Sequence, residues 1–256
     1  GPRVEEKRQP VIQVKNLYKI FRVGDEKVRA LNGVDLTIYK GEFCAIVGTS
    51  GSGKSTMLNM LAGLEKPTKG EVVVAGQHLE NMTENQLVKF RREKVGFIFQ
   101  SFNLLGTMNA IENVALPLTF RGVDKKVREA KAVKMLKLVG LSKHMLHRPN
   151  EMSGGQQQRV GVARALVLDP EIIFADEPTG NLDSHTSAEV LGLMRKVVQE
   201  KNQTMVMVTH DVDEAVYLSN KIVVMSPRPA KIEEILEVHL SQPRDRNNPE
   251  FIRLRS

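Results

Sequence analysis

The chain holds a single cysteine, Cys44, so no disulfide can form within it, and that scarcity fits a reducing compartment. Cys44 lies inside the apolar run Phe43 to Val47, which reads as a small core residue. No stretch approaches the roughly 18 consecutive apolar residues that a spanning helix needs; the apolar runs present are strand-sized. The chain is therefore expected to be soluble by itself. Internal repeats, low-complexity segments, a secretory signal and a long coiled coil are all absent from the pattern. The formal net charge is +7, but Lys and Arg are scattered and form no nucleic-acid-binding block. The densest basic stretch is the tail at 241–256, with Arg244, Arg246, Arg253 and Arg255, which reads as a solvated tail ahead of a contact with lipid head groups. Gly1 and Pro2 are not preceded by Met and are expected to be a tag scar, part of a flexible N-terminus at 1–10.

What is present suits one large domain with an insertion: 256 residues, 41% of them hydrophobic. Val- and Ile-rich strands alternate with helical segments: Glu42 to Val47 before Lys54 to Ala62, Val95 to Phe99, Ile172 to Ala175 before Thr186 to Glu200, and Met205 to Thr209 before Val212 to Leu218. That alternation predicts an α/β fold with a mostly parallel sheet. Ile12 to Lys15, Val34 to Tyr39 and Gly70 to Val74 predict an antiparallel β subdomain, and Lys221 to Met225 and Ile232 to Val238 two closing strands. The pairs Thr83/Gln86, Ser153/Gln156 and Thr186/Glu189 fit capping boxes that start helices. Ala132, Met135, Leu136 and Val139 mark an amphipathic helix stopped by Gly140. No strand is evident between Ser101 and Leu168, so 101–168 is expected to be an inserted helical subdomain, flanked by a core at 11–100 and 169–240.

Gly48-Thr49-Ser50-Gly51-Ser52-Gly53-Lys54-Ser55 matches G-x-x-x-x-G-K-[ST] where the mechanism requires it, between an apolar strand and a helix. Glycines let successive amides face phosphate oxygens and the helix start adds a positive dipole. Lys54 is assigned to the β- and γ-phosphates and Ser55 to Mg²⁺, with Thr56 beside it also counted in the nucleotide site. Ile172 to Ala175 leads into Asp176 and Glu177. Asp176 is assigned to Mg²⁺ through water. Adjacent strand positions face opposite ways, which leaves Glu177 to polarise the attacking water.

Met152-Ser153-Gly154-Gly155-Gln156 closely resembles the LSGGQ signature of the ABC (ATP-binding cassette) family, with Met in place of the usual Leu. Ser153 is placed as an N-cap, and the glycines Gly154 and Gly155 are expected to expose amides as a second anion site. The family's other motifs follow in order from Val11 to about Val238. The resemblance implies a P-loop NTPase core of the ABC ATPase type, with Gln100 contacting Mg²⁺ and water, Asp183 in the D-loop Asn181-Leu182-Asp183, and His210 holding the γ-phosphate. It also implies an aromatic residue stacking on adenine. Spacing to Ala30-Leu31 favours Phe21, while tyrosine, here Tyr18, is the commoner residue in relatives.

The same resemblance implies an Mg²⁺-dependent ATPase at the cytoplasmic face of a membrane, working as a head-to-tail homodimer. In it the loop of one copy and the SGGQ segment of the other hold one ATP. It further implies a separate permease whose coupling helix docks near Phe102, Asn103, Leu104 and Leu105. Gln100 to Leu104 and Ala175 to Asp183 are most similar to the macrolide-export, lipoprotein-release and antimicrobial-peptide-resistance branch. Ser226-Pro227-Arg228-Pro229 and Gln242 to Arg246 instead resemble nitrate- and sulfonate-type import ATPases. A regulatory or scaffold ABC protein is the rival from another class. Nucleic-acid-associated ABC ATPases usually carry a coiled coil or a second cassette, and this chain has neither.

Overall fold

The computed structural model describes residues 8–49 and 53–238. They divide into two compact units, one formed by the described residues up to 91 together with 204–238, the other by 92–203. The expected tag scar, Ser50 to Ser52 and the basic tail at 241–256 lie outside the described residues.

The first unit holds two sheets. One is antiparallel, with β1 (Pro10–Val23) between β2 (Glu26–Tyr39) and β4 (Lys69–Val74), and β5 (Gln77–His78) beyond β4. β1 and β2 are much longer than the expected segments, because register shifts at Val14/Leu17 and Lys19/Ile20 break the two-residue alternation by which strands are read. In the other sheet β3 (Phe43–Val47) lies parallel to β8 (Thr204–Thr209) on one side and β9 (Lys221–Met225) on the other. β10 (Ile232–Glu237) is antiparallel to β9. Every residue of β3 and β8 is buried, as expected of strands covered on both faces. Helices α1 (Lys54–Leu61) and α7 (Val212–Leu218) both pack against β8, and α2 (Glu84–Lys94) leaves the β5 region and sets Leu87 and Phe90 against Gly63.

A buried ion cluster fixes β3 within this unit. Lys221 Nζ donates to Glu42 Oε1 at 3.0 Å and to the Thr37 carbonyl at 2.8 Å, and the Tyr39 amide donates to the same carboxylate. Arg8 donates to the other Glu42 oxygen at 3.0 Å, and the Lys40 amide bonds the Gln9 carbonyl, so residues 8–10 are tied down rather than loose. Breaking one partner of such a cluster costs about 3–5 kcal/mol, since it strands a buried charge. Cys44 pairs in register with Lys221, and burial pushes its thiol up to about 12, which keeps it neutral and inert.

In the second unit β6 (Val95–Phe99) lies parallel to β7 (Ile172–Asp176). Three helices, α3 (Ala110–Phe120), α4 (Lys125–Leu138) and α5 (Gly154–Leu166), pack on one another, and α5 rests on β6. A Cβ on Gly96 would come within 2.5 Å of the Ala165 carbonyl, so glycine is what lets the helix backbone approach the strand. α4 ends as the periodicity predicts, with Gly140 at φ 78°. The Thr83/Gln86 box forms, with both hydrogen bonds present. The Thr186/Glu189 box does not. α6 (Ser184–Glu200) starts three residues earlier, capped by Asp183, whose carboxylate accepts from the Thr186 amide at 2.9 Å. Thr186 is thus a residue of the first turn, and Asp is as good an N-cap as Thr.

Candidate nucleotide site

The first unit presents the phosphate loop. β3 delivers the chain to Gly48, and α1 opens at Lys54 with Gly53 as N-cap in the left-handed conformation, φ 85°. A Cβ on Gly53 would lie 2.9 Å from the Ala30 carbonyl, so both the turn and the space demand glycine. Gly53 supplies no side-chain cap to α1, and a helix N-terminus is where dipole and backbone amides favour a phosphate. Lys54 is only 7% exposed, and its Nζ donates to the Gly48 carbonyl at 2.7 Å, which holds the ammonium across the loop. Thr49 and Ser55 are exposed and Thr56 is half-buried. Ser50, Gly51 and Ser52 lie outside the described residues.

His210 is exposed at the end of β8. Its backbone sits in a fixed frame: the Asp211 amide donates to Thr209 Oγ1 at 3.0 Å, Thr209 Oγ1 donates to Glu214 at 3.1 Å, and Asp211 caps α7. Tyr18 and Phe21 are both half-buried on β1. Tyr18 sets its hydroxyl end on Gly33 with the Lys69 ammonium 5.5 Å from its ring, while Phe21 lies opposite Val28 with Lys19 at 5.2 Å.

The second unit gathers Gln100, the Asp176/Glu177 turn, Asp183 and the Ser153 helix start. Asp176 is the last residue of β7 and pairs in register with Phe99, which places it beside Gln100. Glu177 is not in the strand: its φ is 44°, a left-handed conformation uncommon for a residue with a Cβ. Strand alternation therefore does not set the direction of Glu177, which corrects the strand-face argument above; the left-handed turn does. Gln100 Nε2 donates to Asn181 Oδ1 at 3.4 Å, and Asn181 Nδ2 returns a bond to the Gln100 carbonyl at 3.3 Å. Gly180 leaves room for that amide, since a Cβ there would come within 2.5 Å of it.

α5 begins with a reciprocal capping box. Ser153 Oγ accepts from the Gln156 amide at 3.2 Å, and Gln156 Oε1 accepts from the Ser153 amide at 3.1 Å. The two glycines also have a packing reason that sequence reading missed: a Cβ on Gly155 would meet Thr186 at 2.4 Å, and one on Gly154 would meet Leu182 at 3.1 Å. Asp183, expected as a nucleotide contact, is placed as the cap of α6. The Thr186 amide holds its carboxyl below the usual carboxylate range.

Leu105, in the segment assigned to a permease helix, is exposed, and Phe102 and Asn103 are left-handed, at φ 64° and 56°. Buried Asn113 shapes this segment: its Oδ1 accepts from the Leu105 amide at 2.8 Å and its Nδ2 donates to the carbonyls of Leu105, Met108 and Asn109. Asn113, Arg164 and Gln158 are the site-shaping residues that motif reading did not reach, and Asn181 was reached only as part of the D-loop.

Comparison with known proteins bears on these two sets of residues. The ABC transporter family model matches residues 31–180. An uncharacterized ABC transporter ATP-binding protein of Thermotoga maritima is 48% identical over 203 residues, covering 79% of this chain and 86% of that protein. The macrolide export ATP-binding/permease protein MacB of a Shewanella species is 45% identical over 207 residues, 81% of this chain but 31% of MacB. Among solved structures, the cassette MJ0796 of Methanocaldococcus jannaschii, a dimer in a post-hydrolysis state bound to ADP and Pi, is 41% identical with a TM-score of 0.80, covering 89% of this chain and 99% of that one. The glycine-lined helix start at Lys54, the capped start at Ser153 and the family match over both strands that carry the motifs lead to one statement: this chain belongs to the ABC transporter family and is one of its ATP-binding cassettes, an ATPase of α/β P-loop fold.

Proposed function

We propose that two copies of this cassette clasp ATP between them, hydrolyse it, and thereby drive a separate membrane permease in exporting or extracting a substrate. The observation that carries the reading is the gathering of Gln100, Glu177 and the helix start at Ser153 within one compact unit of a chain that also presents a Lys54 phosphate loop. Pairing follows the dimer of MJ0796, and export follows MacB.

In this reading the amides from Gly48 to Gly53 and the Lys54 ammonium bind the phosphates, assisted by Ser55 and Thr56. Phe21 or Tyr18 stacks on the base, and Ser153, Gly154 and Gly155 of the other copy close on the γ-phosphate. Glu177 takes a proton from water as its oxygen bonds to the γ-phosphorus, and the bond to the ADP oxygen breaks; His210 holds the γ-phosphate. Ser55, Asp176 and Gln100 would hold Mg²⁺. They offer hydroxyl, carboxylate and amide oxygens, the hard donors that ion takes, and Gln100 turns its nitrogen toward Asn181, which would leave its oxygen for the ion. The ion would neutralise charge on the phosphate oxygens. Asp183 fixes the first turn of α6 beneath the Gly155 contact. Among the described residues no helix is long and apolar enough to cross a membrane; in this reading the permease provides the membrane-spanning part.

The test is phosphate release from Mg-ATP by the purified chain, with and without the membrane protein that co-purifies with it from its native membrane. The expected result is slow turnover alone and a multispanning partner that stimulates it. Absence of turnover in both preparations, or binding only to nucleic acid, would contradict the proposal.

A further inference from the structure

Gln158 is fully buried in α5, five residues beyond the Ser153 cap. Its side-chain nitrogen donates to two backbone carbonyls, that of Phe99 at 2.9 Å and that of Pro178. Both are acceptors only, so the amide must turn its nitrogen to them. Phe99 immediately precedes Gln100, and Pro178 immediately follows Glu177. One side chain thus bridges the backbone next to the metal-side glutamine and the backbone next to the general base.

Its oxygen lies against Gly161, where a Cβ would come within 2.8 Å, and among the described residues it has no protein partner. A buried amide oxygen without a partner opposes folding, which offsets part of what the two hydrogen bonds contribute. What it holds is conformationally awkward: Glu177 is left-handed at φ 44° and needs its surroundings to fix it. Further along α5, Arg164 does the same for the far end of the Gln100 segment, donating to the carbonyls of Phe102 and Asn103 at 2.8 and 2.7 Å.

We propose that Gln158 is a positioning residue for ATP hydrolysis, which through two backbone hydrogen bonds fixes the Gln100 segment and the Glu177 turn onto the helix that opens at Ser153. The inference rests on the roles given above to Gln100 and Glu177. Movement of the α5 start is then conveyed to both by a short rigid path: a side chain, two carbonyls and the residues beside them.

The experiment compares the full chain with Gln158→Met and Gln158→Glu, measuring kcat and KM for Mg-ATP, nucleotide affinity by titration, and the melting temperature. Gln158→Met is expected to lose roughly 10²-fold in kcat, the scale of a small misplacement of catalytic groups. Its nucleotide affinity should stay within about threefold, and its melting temperature should fall by only a few degrees, because removal of the orphaned oxygen offsets part of the loss of the two hydrogen bonds. Gln158→Glu, which sets a carboxylate against two carbonyls, is expected to lose more. A kcat within about threefold of the parent in either variant overturns the proposal, as does a loss of kcat that only follows loss of melting temperature or affinity. Glu177→Gln run alongside separates the two readings. If it turns over ATP at the parent rate, the role of Glu177 itself fails; if it is inactive while Gln158→Met is not, only the bridge fails.

Discussion

Two helices of this chain start beside glycines at phosphate-binding motifs, and they start in opposite ways. At Lys54 the N-cap is Gly53, left-handed and without a side chain, so no side-chain cap closes the first turn of α1. At Gly154 the N-cap is Ser153, whose hydroxyl and the Gln156 side chain already satisfy two backbone amides. The first start has no side-chain cap; the second is closed by a reciprocal box. In the proposed function the Lys54 loop of one copy holds the nucleotide and the Ser153 start of the other closes on it.

The largest effect that isolates the two starts from the chemistry is Glu177→Gln. Turnover should fall by about 10²- to 10⁴-fold, the weight of a general base, while nucleotide binding at either start is left intact, as phosphate release and nucleotide titration would show. Next comes the contrast itself. Lys54→Ala should weaken nucleotide affinity by roughly 10- to 100-fold, because a charge-assisted hydrogen bond of about 1.5–3 kcal/mol is lost, whereas Ser153→Ala should leave the affinity of the single chain nearly unchanged. Equal losses in the two variants would erase the distinction. In thermal unfolding Ser153→Ala should cost about 1 kcal/mol through the lost cap, a fall of roughly 2–4 °C; an unchanged melting temperature would mean that the box adds nothing.

The smallest effect concerns the third capped start, at Asp183. The Thr186 amide holds that carboxyl low, so folding favours its charged form. Its contribution is complete above the ordinary Asp value of about 3.9 and is lost as the pH falls through the lower folded-state value. Asparagine caps without titrating, so Asp183→Asn should show a smaller drop in melting temperature between pH 6 and pH 3 than the parent. Identical drops would remove Asp183 as the cause.

The sequence made the phosphate loop and the Ser153 start legible because each couples a local pattern to a mechanism: glycines at a strand-to-helix turn, and a hydroxyl three residues before a glutamine. The start of α6 was misread because two patterns overlap, Asp183 with Thr186 and Thr186 with Glu189, and nothing local decides which comes first. β1 and β2 were read short because bulges destroy the alternation. The strand-face argument that leaves Glu177 to polarise water does not hold, because its left-handed backbone takes it out of the strand. Gln158 stands at the end of a run of three glutamines, which looks like a polar surface. Only its spacing to Val162 and Ala165, both buried on α5, hinted that it faces inward.

The most direct test of the claim that Lys54 of one copy and Ser153 of another share a nucleotide is the mass of the Glu177→Gln chain by light scattering, with and without ATP. A doubling of mass on adding ATP, abolished by Lys54→Ala, is the predicted result. A chain that stays monomeric at ATP concentrations that saturate its phosphate loop would contradict it.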